Sequence, residues 1–325
     1  MKVLITTVPF GEVDIRPISL LREAGVEYVI NPLGRKLQPS ELAEMIKSFD
    51  VVIAGTEKID KHVIDSAEQL KFISRVGIGL DSVDLNYAKS KGIKVSYTPD
   101  APAPAVAELT IGLMLSLARS INNSDLGIKN REWKRYFGFR LAEMNIGIVG
   151  LGRIGSRVLG HLESFSPKEI FVNDIDSSLL ENSGTKVSSR SKEFIYRNSD
   201  LITLHVPLTK ATYNMISRNE LSMMKSNAYL INTSRGGIVN ECELYESLSQ
   251  NMIAGAAIDV YEKEPYSGVL SQLSNCINTA HMGSMTVDCR SDMEIQATEE
   301  AIRFLIGEEL SLEVPNYEYK NQNSL

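Results

Sequence analysis

A glycine-rich segment near the middle of the chain has the spacing of a phosphate-binding turn. Residues 150–155 read Gly-Leu-Gly-Arg-Ile-Gly, a G-x-G-x-x-G pattern that follows the apolar run 146–149. Apolar residues then recur with helical spacing from Ile154 to Phe165, so the segment predicts a strand, a tight turn and a helix. In such a unit the glycines let the backbone approach a pyrophosphate, and the N-terminus of the helix faces the negative charge. We predict that the dinucleotide-binding residues of this turn are Gly150, Gly152, Arg153, Ile154 and Gly155.

An acidic residue follows the next predicted strand. Asp174 ends the segment Phe-Val-Asn-Asp and lies 19 residues after the last glycine of the turn. A carboxylate at this position accepts hydrogen bonds from both ribose hydroxyls and repels a 2′-phosphate, and no Arg or Lys follows within several residues to bind one. The alternative is a turn residue at the end of a strand. The arrangement favours NAD as the cofactor.

Polar segments also follow three later predicted strands. Residues 232–237 read Asn-Thr-Ser-Arg-Gly-Gly, residues 257–265 read Ala-Ile-Asp-Val-Tyr-Glu-Lys-Glu-Pro, and residues 279–283 read Thr-Ala-His-Met-Gly. Doubly wound sheets bind their ligands just beyond the carboxyl ends of the strands, which is where these segments lie. A histidine in such a place is more often structural when it stands alone. Together, the three segments favour catalysis.

With these segments in this order, the sequence closely resembles the D-isomer-specific 2-hydroxyacid dehydrogenase family. The family signature combines an Arg-Gly pair, an Asp-Val-aromatic segment that ends in Glu-Pro, and a late His-x-Gly. The resemblance extends over essentially the whole chain, because Arg75–Asp84 and Val106–Leu109 also look like family segments. It implies an NAD-dependent oxidoreductase that transfers a hydride between nicotinamide and a D-2-hydroxy acid or 2-oxo acid.

The resemblance implies three catalytic residues. His281 would donate a proton to the substrate carbonyl oxygen, and Glu264 would hydrogen-bond the imidazole and favour its protonated form. Arg235 would bind the carboxylate and carbonyl of the substrate with a planar, charge-assisted geometry that Lys cannot reproduce. For Glu264, which precedes a proline, the alternative is a plain turn residue.

The resemblance also assigns the remaining site residues. The backbone amides of residues 76–78 would receive the substrate carboxylate. The substrate-binding loop is therefore expected to contain Arg75, Val76, Gly77 and Ile78. Further cofactor contacts are expected from Pro207, Thr233, Ser234, Asp259 and Gly283.

The segment after the histidine departs from the family pattern. The family usually continues His-Ile-Gly-Gly-Ser/Ala-Thr, whereas residues 281–286 read His-Met-Gly-Ser-Met-Thr. Ser284 thus replaces a glycine, and Met285 replaces a small residue beside the expected nicotinamide pocket. This departure bears on the substrate more than on the reaction.

Two series of alternating strands and helices must position these residues. Short β-branched runs alternate with amphipathic stretches up to about residue 98, and six further strands are predicted from Asn145 onward. Both series predict doubly wound parallel sheets, and three prolines within residues 99–104 separate them. We predict an α/β protein with a flavodoxin-like substrate domain, residues 1–100 plus 286–325, and a Rossmann NAD-binding domain, residues 101–285. The active site is expected in the cleft between them.

Composition excludes several other classes of protein. Lys and Arg number 34 against 41 Asp and Glu, so the formal net charge of −7 argues against a nucleic-acid or anionic-membrane binder. Three cysteines without a C-x-x-C spacing form neither a disulfide framework nor a zinc site. The longest apolar run is about ten residues, and a membrane span requires about 20. We expect a cytoplasmic protein without a signal peptide or a metal.

The substrate is left open among several acids. The Arg-Val-Gly-x-Gly segment that begins at Arg75, and the segment that carries Trp133, look most like 3-phosphoglycerate dehydrogenases. Hydroxypyruvate, glyoxylate and D-lactate chemistry are the alternatives. An NAD(H)-sensing, corepressor-like binding protein is the alternative from another class, because the same fold also serves such proteins.

A basic segment bears on both the substrate and the partner. In this family the segment lies in an arm that embraces a partner subunit, so a homodimer is expected, and its charges could bind the phosphate of a neighbour's substrate. A solvated basic face is an equal alternative. The cluster consists of Arg131, Lys134, Arg135 and Arg140. Because the chain stops near residue 325, feedback through a C-terminal regulatory domain is not expected.

Overall fold

The computed structural model describes residues 1–176, 178–181 and 187–322. Contacts divide the chain into two compact units. Unit 1 comprises Met1–Pro102 and Met285–Leu325, and unit 2 comprises Ala103–Ser284. The strands described in each unit form one parallel sheet, so the predicted fold of two parallel-sheet α/β domains is confirmed.

Unit 1 contains a five-stranded sheet with the strand order β2-β1-β3-β4-β5. Strands β3 and β4 are buried at every position, as expected for parallel strands that are covered on both faces. The strands are β1 (Lys2–Ile5), β2 (Glu27–Ile30), β3 (Val51–Ala54), β4 (Phe72–Arg75) and β5 (Lys94–Tyr97).

Helices from both ends of the chain cover this sheet. The first four are α1 (Arg16–Glu23), α2 (Pro39–Met45), α3 (Lys61–Ser66) and α4 (Leu85–Ser90), and a 3-10 turn follows α2 at Ile46–Ser48. The last two helices of the chain, α12 (Val287–Ile306) and α13 (Asn316–Gln322), also belong to unit 1. Thr286 caps the N-terminus of α12, and Phe304 near its end stacks on Phe72 of β4 with ring centroids 4.7 Å apart.

Unit 2 contains a seven-stranded sheet with the order β12-β11-β10-β9-β6-β7-β8. The order reverses between β6 and β9, which pair along their length from Ile146 to Val149, and this switch point is where such sheets bind ligands. The short polar strand β8 is additional to the six predicted strands. The strands are β6 (Asn145–Val149), β7 (Glu169–Asn173), β8 (Val187–Ser189), β9 (Leu201–Leu204), β10 (Tyr229–Asn232), β11 (Gly255–Ile258) and β12 (Cys276–Asn278).

The helices of unit 2 pack on both faces of its sheet. The nearly all-apolar α5 packs against α7 and contributes Ala107 and Met114 to a buried cluster with β6. The helices are α5 (Ala103–Ala118), α6 (Ile121–Lys129), α7 (Arg153–Glu163), α8 (Ser178–Glu181), α9 (Lys192–Asn198), α10 (Arg218–Met223) and α11 (Glu241–Ser249), with 3-10 turns at Leu141–Glu143 and Val269–Gln272. Within the described ranges, no single helix is long and apolar enough to cross a membrane, although α5 and α6, bent by 65°, pass that test as a pair.

Candidate active site

The glycine-rich turn joins β6 to α7, and each of its three glycines meets different surroundings. Gly150 has a φ of +97°, and a Cβ there would lie 2.4 Å from the His205 carbonyl oxygen. A Cβ on Gly155 would lie 1.9 Å from the Gly150 carbonyl oxygen. Among the described residues, apart from its two chain neighbours, no atom lies within 4 Å of the Cβ position of Gly152, the residue before the first turn of α7. The first and third glycines therefore allow close packing, and the second leaves open space at a helix N-terminus, which fits a pyrophosphate.

The structure brings Asp174 to this turn. One carboxylate oxygen, Oδ2, accepts a hydrogen bond from the Leu151 amide at 2.6 Å, and Oδ1 accepts one from the Asp176 amide at 2.9 Å. The side chain is partly exposed. A carboxylate has about four lone-pair sites, so Asp174 keeps acceptor capacity for ribose hydroxyls.

A histidine and a glutamate pair beyond β11 and β12. His281 Nδ1 lies 2.9 Å from Oε2 and 3.0 Å from Oε1 of Glu264, and the two side chains are 38% and 27% exposed. The Tyr261 amide donates a hydrogen bond to Glu264 Oε1 at 3.2 Å. Because the carboxylate holds the ring through Nδ1, Nε2 is the nitrogen that can exchange a proton with a substrate.

A buried aspartate positions this histidine. Asp259 Oδ1 accepts hydrogen bonds from Thr279 Oγ1 at 2.6 Å and from the Met282 amide at 2.9 Å, and Oδ2 accepts one from the Gly283 amide at 2.9 Å. The His281 amide donates to the backbone carbonyl of Asp259 at 2.8 Å, and His281 has a φ of +48°. Asp259 thus orients the turn that carries His281. Its contact with the cofactor stays a prediction.

Arg235 follows β10. The next residue, Gly236, allows the Arg235 loop to pack closely against a neighbouring loop. A Cβ on Gly236 would lie 2.1 Å from the Tyr261 carbonyl group and 2.5 Å from the Glu262 amide nitrogen. The Arg235 loop therefore packs directly against the turn that carries Glu264. Sequence reasoning missed this role of Gly236, although the Arg-Gly pair itself was a signal.

Residues 111–283, more than half of the chain, match the sequence model described as the NAD binding domain of D-isomer specific 2-hydroxyacid dehydrogenases. The chain belongs to this family. Most of unit 2 is thus the NAD-binding domain of a D-2-hydroxyacid dehydrogenase, so the predicted family and the predicted cofactor are both confirmed.

Relatives of this dehydrogenase differ in their substrates. D-3-phosphoglycerate dehydrogenase from Methanocaldococcus jannaschii is 38% identical over 314 residues, which are 95% of this chain but only 58% of that protein. Glyoxylate reductase from Thermococcus litoralis is 36% identical over 280 residues, 82% of this chain and 84% of that protein. The solved structure of the TT0316 protein from Thermus thermophilus is 31% identical, with a TM-score of 0.88 that covers 97% of this chain and 100% of the other.

The other predicted cofactor contacts of this dehydrogenase have partners inside unit 2. The Thr233 hydroxyl lies 3.0 Å from that of Thr110, and Ser234 Oγ donates to Asn232 Oδ1 at 2.7 Å. The Pro207 carbonyl accepts a hydrogen bond from Thr212 Oγ1 at 2.6 Å. These bonds order the loops after β9 and β10, while the cofactor contacts themselves stay predictions.

Two backbone amides of the predicted substrate loop in unit 1 form hydrogen bonds within the protein. The Val76 amide donates to the Ala54 carbonyl at 2.9 Å, and the Gly77 amide donates to Thr98 Oγ1 at 2.7 Å. Arg75 is buried, and its guanidinium donates to the Val76 carbonyl. A substrate carboxylate could take the Gly77 amide only in place of Thr98. Binding of the substrate by Arg75, Val76, Gly77 and Ile78 stays a prediction.

The predicted basic cluster is exposed on a segment without helix or strand. The aromatic side chains of Trp133 and Phe137, which lie among these charges, are 82% and 102% exposed. Phosphate binding and dimer formation through this segment stay predictions. Among the described residues, no group of three or more His, Cys, Asp or Glu side chains is placed to hold a metal ion.

Proposed function

We propose that this protein is an NAD-dependent oxidoreductase that interconverts a D-2-hydroxy acid and the corresponding 2-oxo acid. The observation that carries the proposal is the bond between His281 Nδ1 and Glu264, 2.9 Å long, in a turn that packs against the Arg235 loop. This arrangement supplies a proton donor, a group that stabilises its charge, and a nearby cation for a carboxylate.

The glycine-rich turn and Asp174 are the residues that would hold the cofactor. The open space at Gly152 fits the pyrophosphate, and the partly exposed carboxylate fits the ribose hydroxyls. When bound, NADH supplies the hydride for the carbonyl carbon of the substrate.

The protein's own residues manage the proton and the charge. In the reductive direction, protonated His281 donates a proton from Nε2 to the carbonyl oxygen, and in the oxidative direction the neutral ring accepts the hydroxyl proton. Glu264 stabilises the imidazolium because it places a negative charge at Nδ1. The Arg235 guanidinium binds the substrate carboxylate and orients the carbonyl group.

The best candidate for the substrate pair is 3-phosphoglycerate and 3-phosphohydroxypyruvate. The 38% identity to a D-3-phosphoglycerate dehydrogenase and the exposed basic cluster support it. Glyoxylate or hydroxypyruvate is the second candidate, because a glyoxylate reductase is 36% identical to this chain and a hydroxypyruvate reductase is 34% identical.

A substrate panel tests the proposal. Loss of NADH absorbance is followed with phosphohydroxypyruvate, hydroxypyruvate, glyoxylate and pyruvate, for the wild type and for a variant in which the four residues of the basic cluster are replaced by Ala. A preference for phosphohydroxypyruvate that the variant loses supports the first candidate. A preference for an unphosphorylated acid in both proteins supports the second, and no reduction of any 2-oxo acid contradicts the proposed function.

A further inference from the structure

An acidic side chain at the start of α11 holds the turn that carries Glu264. Glu241 Oε1 accepts a hydrogen bond from the Glu262 amide at 2.8 Å. The two segments are neighbours because β10 and β11, which precede them, pair in parallel with Asn232 opposite Ile258. Glu241 therefore contacts the catalytic turn through its backbone, two residues before Glu264.

This turn is held from two sides. Gly236 packs against the peptide that joins Tyr261 to Glu262, and Glu241 binds the amide of that same peptide. The Tyr261 amide then donates to Glu264 Oε1 at 3.2 Å. The position of the Glu264 carboxylate, and with it the orientation of His281, depends on these contacts.

Glu241 is also coupled to the catalytic pair by charge. Burial raises the pKa of the Glu241 carboxyl, and the negative charges of Glu262 and Glu264 raise it further, against the hydrogen bond from the Glu262 amide. The phenols of Tyr261 and Tyr266 are also coupled to Glu241, and their pKa is raised mainly by burial. Because electrostatic coupling is mutual, the charge of Glu241 acts in turn on Glu264.

We propose that Glu241 is a positioning residue for the acid–base pair. It holds the Tyr261–Glu264 turn by its hydrogen bond, and its negative charge adds to that of Glu264, which binds the His281 ring. The inference rests on the proposed function, in which His281 is the proton donor.

Three variants separate the two effects. Glu241→Gln keeps an acceptor for the Glu262 amide but removes the charge, whereas Glu241→Ala removes both. The matched control is Glu243→Gln, in the same helical turn, because Glu243 Oε2 likewise accepts a backbone hydrogen bond, from the Arg218 amide at 2.6 Å. A surface or capping role alone would affect the two Gln variants equally.

The first measurement is the titration of the histidine rings by NMR, which does not depend on turnover. The chain has four histidines, so a His281→Asn variant assigns the resonance of His281. We expect Glu241→Gln to lower the titration midpoint of His281 by on the order of half a pH unit. Glu243→Gln is expected to leave it unchanged. Equal midpoints in the wild type and Glu241→Gln would overturn the inference.

The second measurement is kcat for 2-oxo acid reduction as a function of pH. We expect Glu241→Gln to stay within about twofold of the wild type at low pH and to lose activity at a lower pH than the wild type. Glu241→Ala should lose about tenfold at every pH, because the turn is displaced. If Glu241→Ala fails to fold, the Glu241→Gln variant still tests the inference. A shifted midpoint without turnover in the wild type contradicts only the proposed function, and turnover with an unshifted midpoint contradicts only the inference.

Discussion

The carboxyl ends of the strands carry polar clusters in both units, but the two clusters differ in how they are buried. In unit 2, the paired side chains of His281 and Glu264 are 38% and 27% exposed. In unit 1, the side chains of Arg290 and Glu294 are only 9% and 1% exposed. The exposed pair is therefore accessible to a substrate, whereas the buried pair is shielded from one.

The unit 1 cluster ties α12 to the chain after β1. Arg290 Nε donates to Glu294 Oε1 at 2.6 Å, and its Nη2 donates to Thr7 Oγ1 at 2.8 Å and to the Pro9 carbonyl. Glu294 Oε2 accepts the Gly11 amide at 2.8 Å. Burial raises the pKa of Glu294, so this carboxylate depends on its partners. We infer that this cluster stabilises the fold of unit 1 and takes no part in catalysis.

The largest effect is expected at the exposed pair. His281→Ala should lower turnover by about 10³-fold, because the proton donor is lost, and leave NADH binding within about twofold. Steady-state rates and NADH fluorescence titrations measure the two quantities. His161→Ala, at an exposed position late in α7, is the control and should change neither. Wild-type turnover in His281→Ala would remove this residue from the mechanism.

Disruption of the buried pair is expected to lower the stability of unit 1. Glu294→Ala leaves the buried Arg290 without its carboxylate, so we expect the free energy of unfolding of unit 1 to fall by about 3–5 kcal/mol. Denaturant unfolding measures this change. The control is Glu308→Ala, which breaks an exposed contact with Arg303 and should cost less than about 1 kcal/mol. Equal losses in the two variants would mean that burial does not distinguish the clusters.

The packing of the Arg235 loop against the Glu264 loop can be disrupted by a substitution that changes no polar side chain. Gly236→Ala places a Cβ 2.1 Å from the Tyr261 carbonyl group, so the Arg235 and Glu264 loops must separate. We expect kcat to fall by about 10²-fold. Gly160→Ala in α7 is the control, because no atom lies within 4 Å of its Cβ position, and it should keep wild-type turnover. Activity retained by Gly236→Ala would show that the loops tolerate separation.

The cofactor end of unit 2 gives a smaller effect. Asp174→Ala removes both the ribose acceptor and the charge that repels a 2′-phosphate, so we expect the NAD over NADP preference to fall by at least about tenfold. The ratio of kcat/KM with the two cofactors measures it. Asp125→Ala, an exposed acid in α6, should keep the wild-type ratio. An unchanged ratio in Asp174→Ala would contradict the assigned role.

The last effect is on stability alone and concerns a buried histidine that takes no part in the proposed chemistry. Burial lowers the pKa of His205 to about 3 from 6.5, and its Nδ1 is buried without a hydrogen bond in the part of the chain that the structure describes. Below pH 6.5 the unfolded chain binds a proton that the folded protein excludes, so stability falls as the pH falls, by about 2 kcal/mol at pH 5. His205→Gln should flatten this dependence in denaturant unfolding, and His161→Gln should not. Identical pH profiles of stability for His205→Gln and the wild type would contradict this account.

Much of the candidate site follows from local patterns. The glycine spacing at 150–155, the acid at 174 and the predicted strands of both sheets are visible in the chain, because each pattern acts within a few residues. The short strand β8 was missed, since its sequence Val-Ser-Ser has no apolar alternation. The role of Gly236 was also missed, because the atoms that require it lie 25 residues later.

The family, the kinds of side chain at the strand ends and the alternation of strands and helices, except for β2 and β8, could be derived from the amino-acid sequence. Only the folded structure shows which of these groups already have hydrogen-bond partners within the protein. Asp259 accepts hydrogen bonds from amides more than 20 residues away, the Gly77 amide donates to Thr98, and Arg290 donates to a threonine 283 residues away, whereas His281 and Glu264 stay partly exposed. Hydrogen-bond saturation depends on what the fold brings within about 3 Å, and sequence periodicity carries no information at that range.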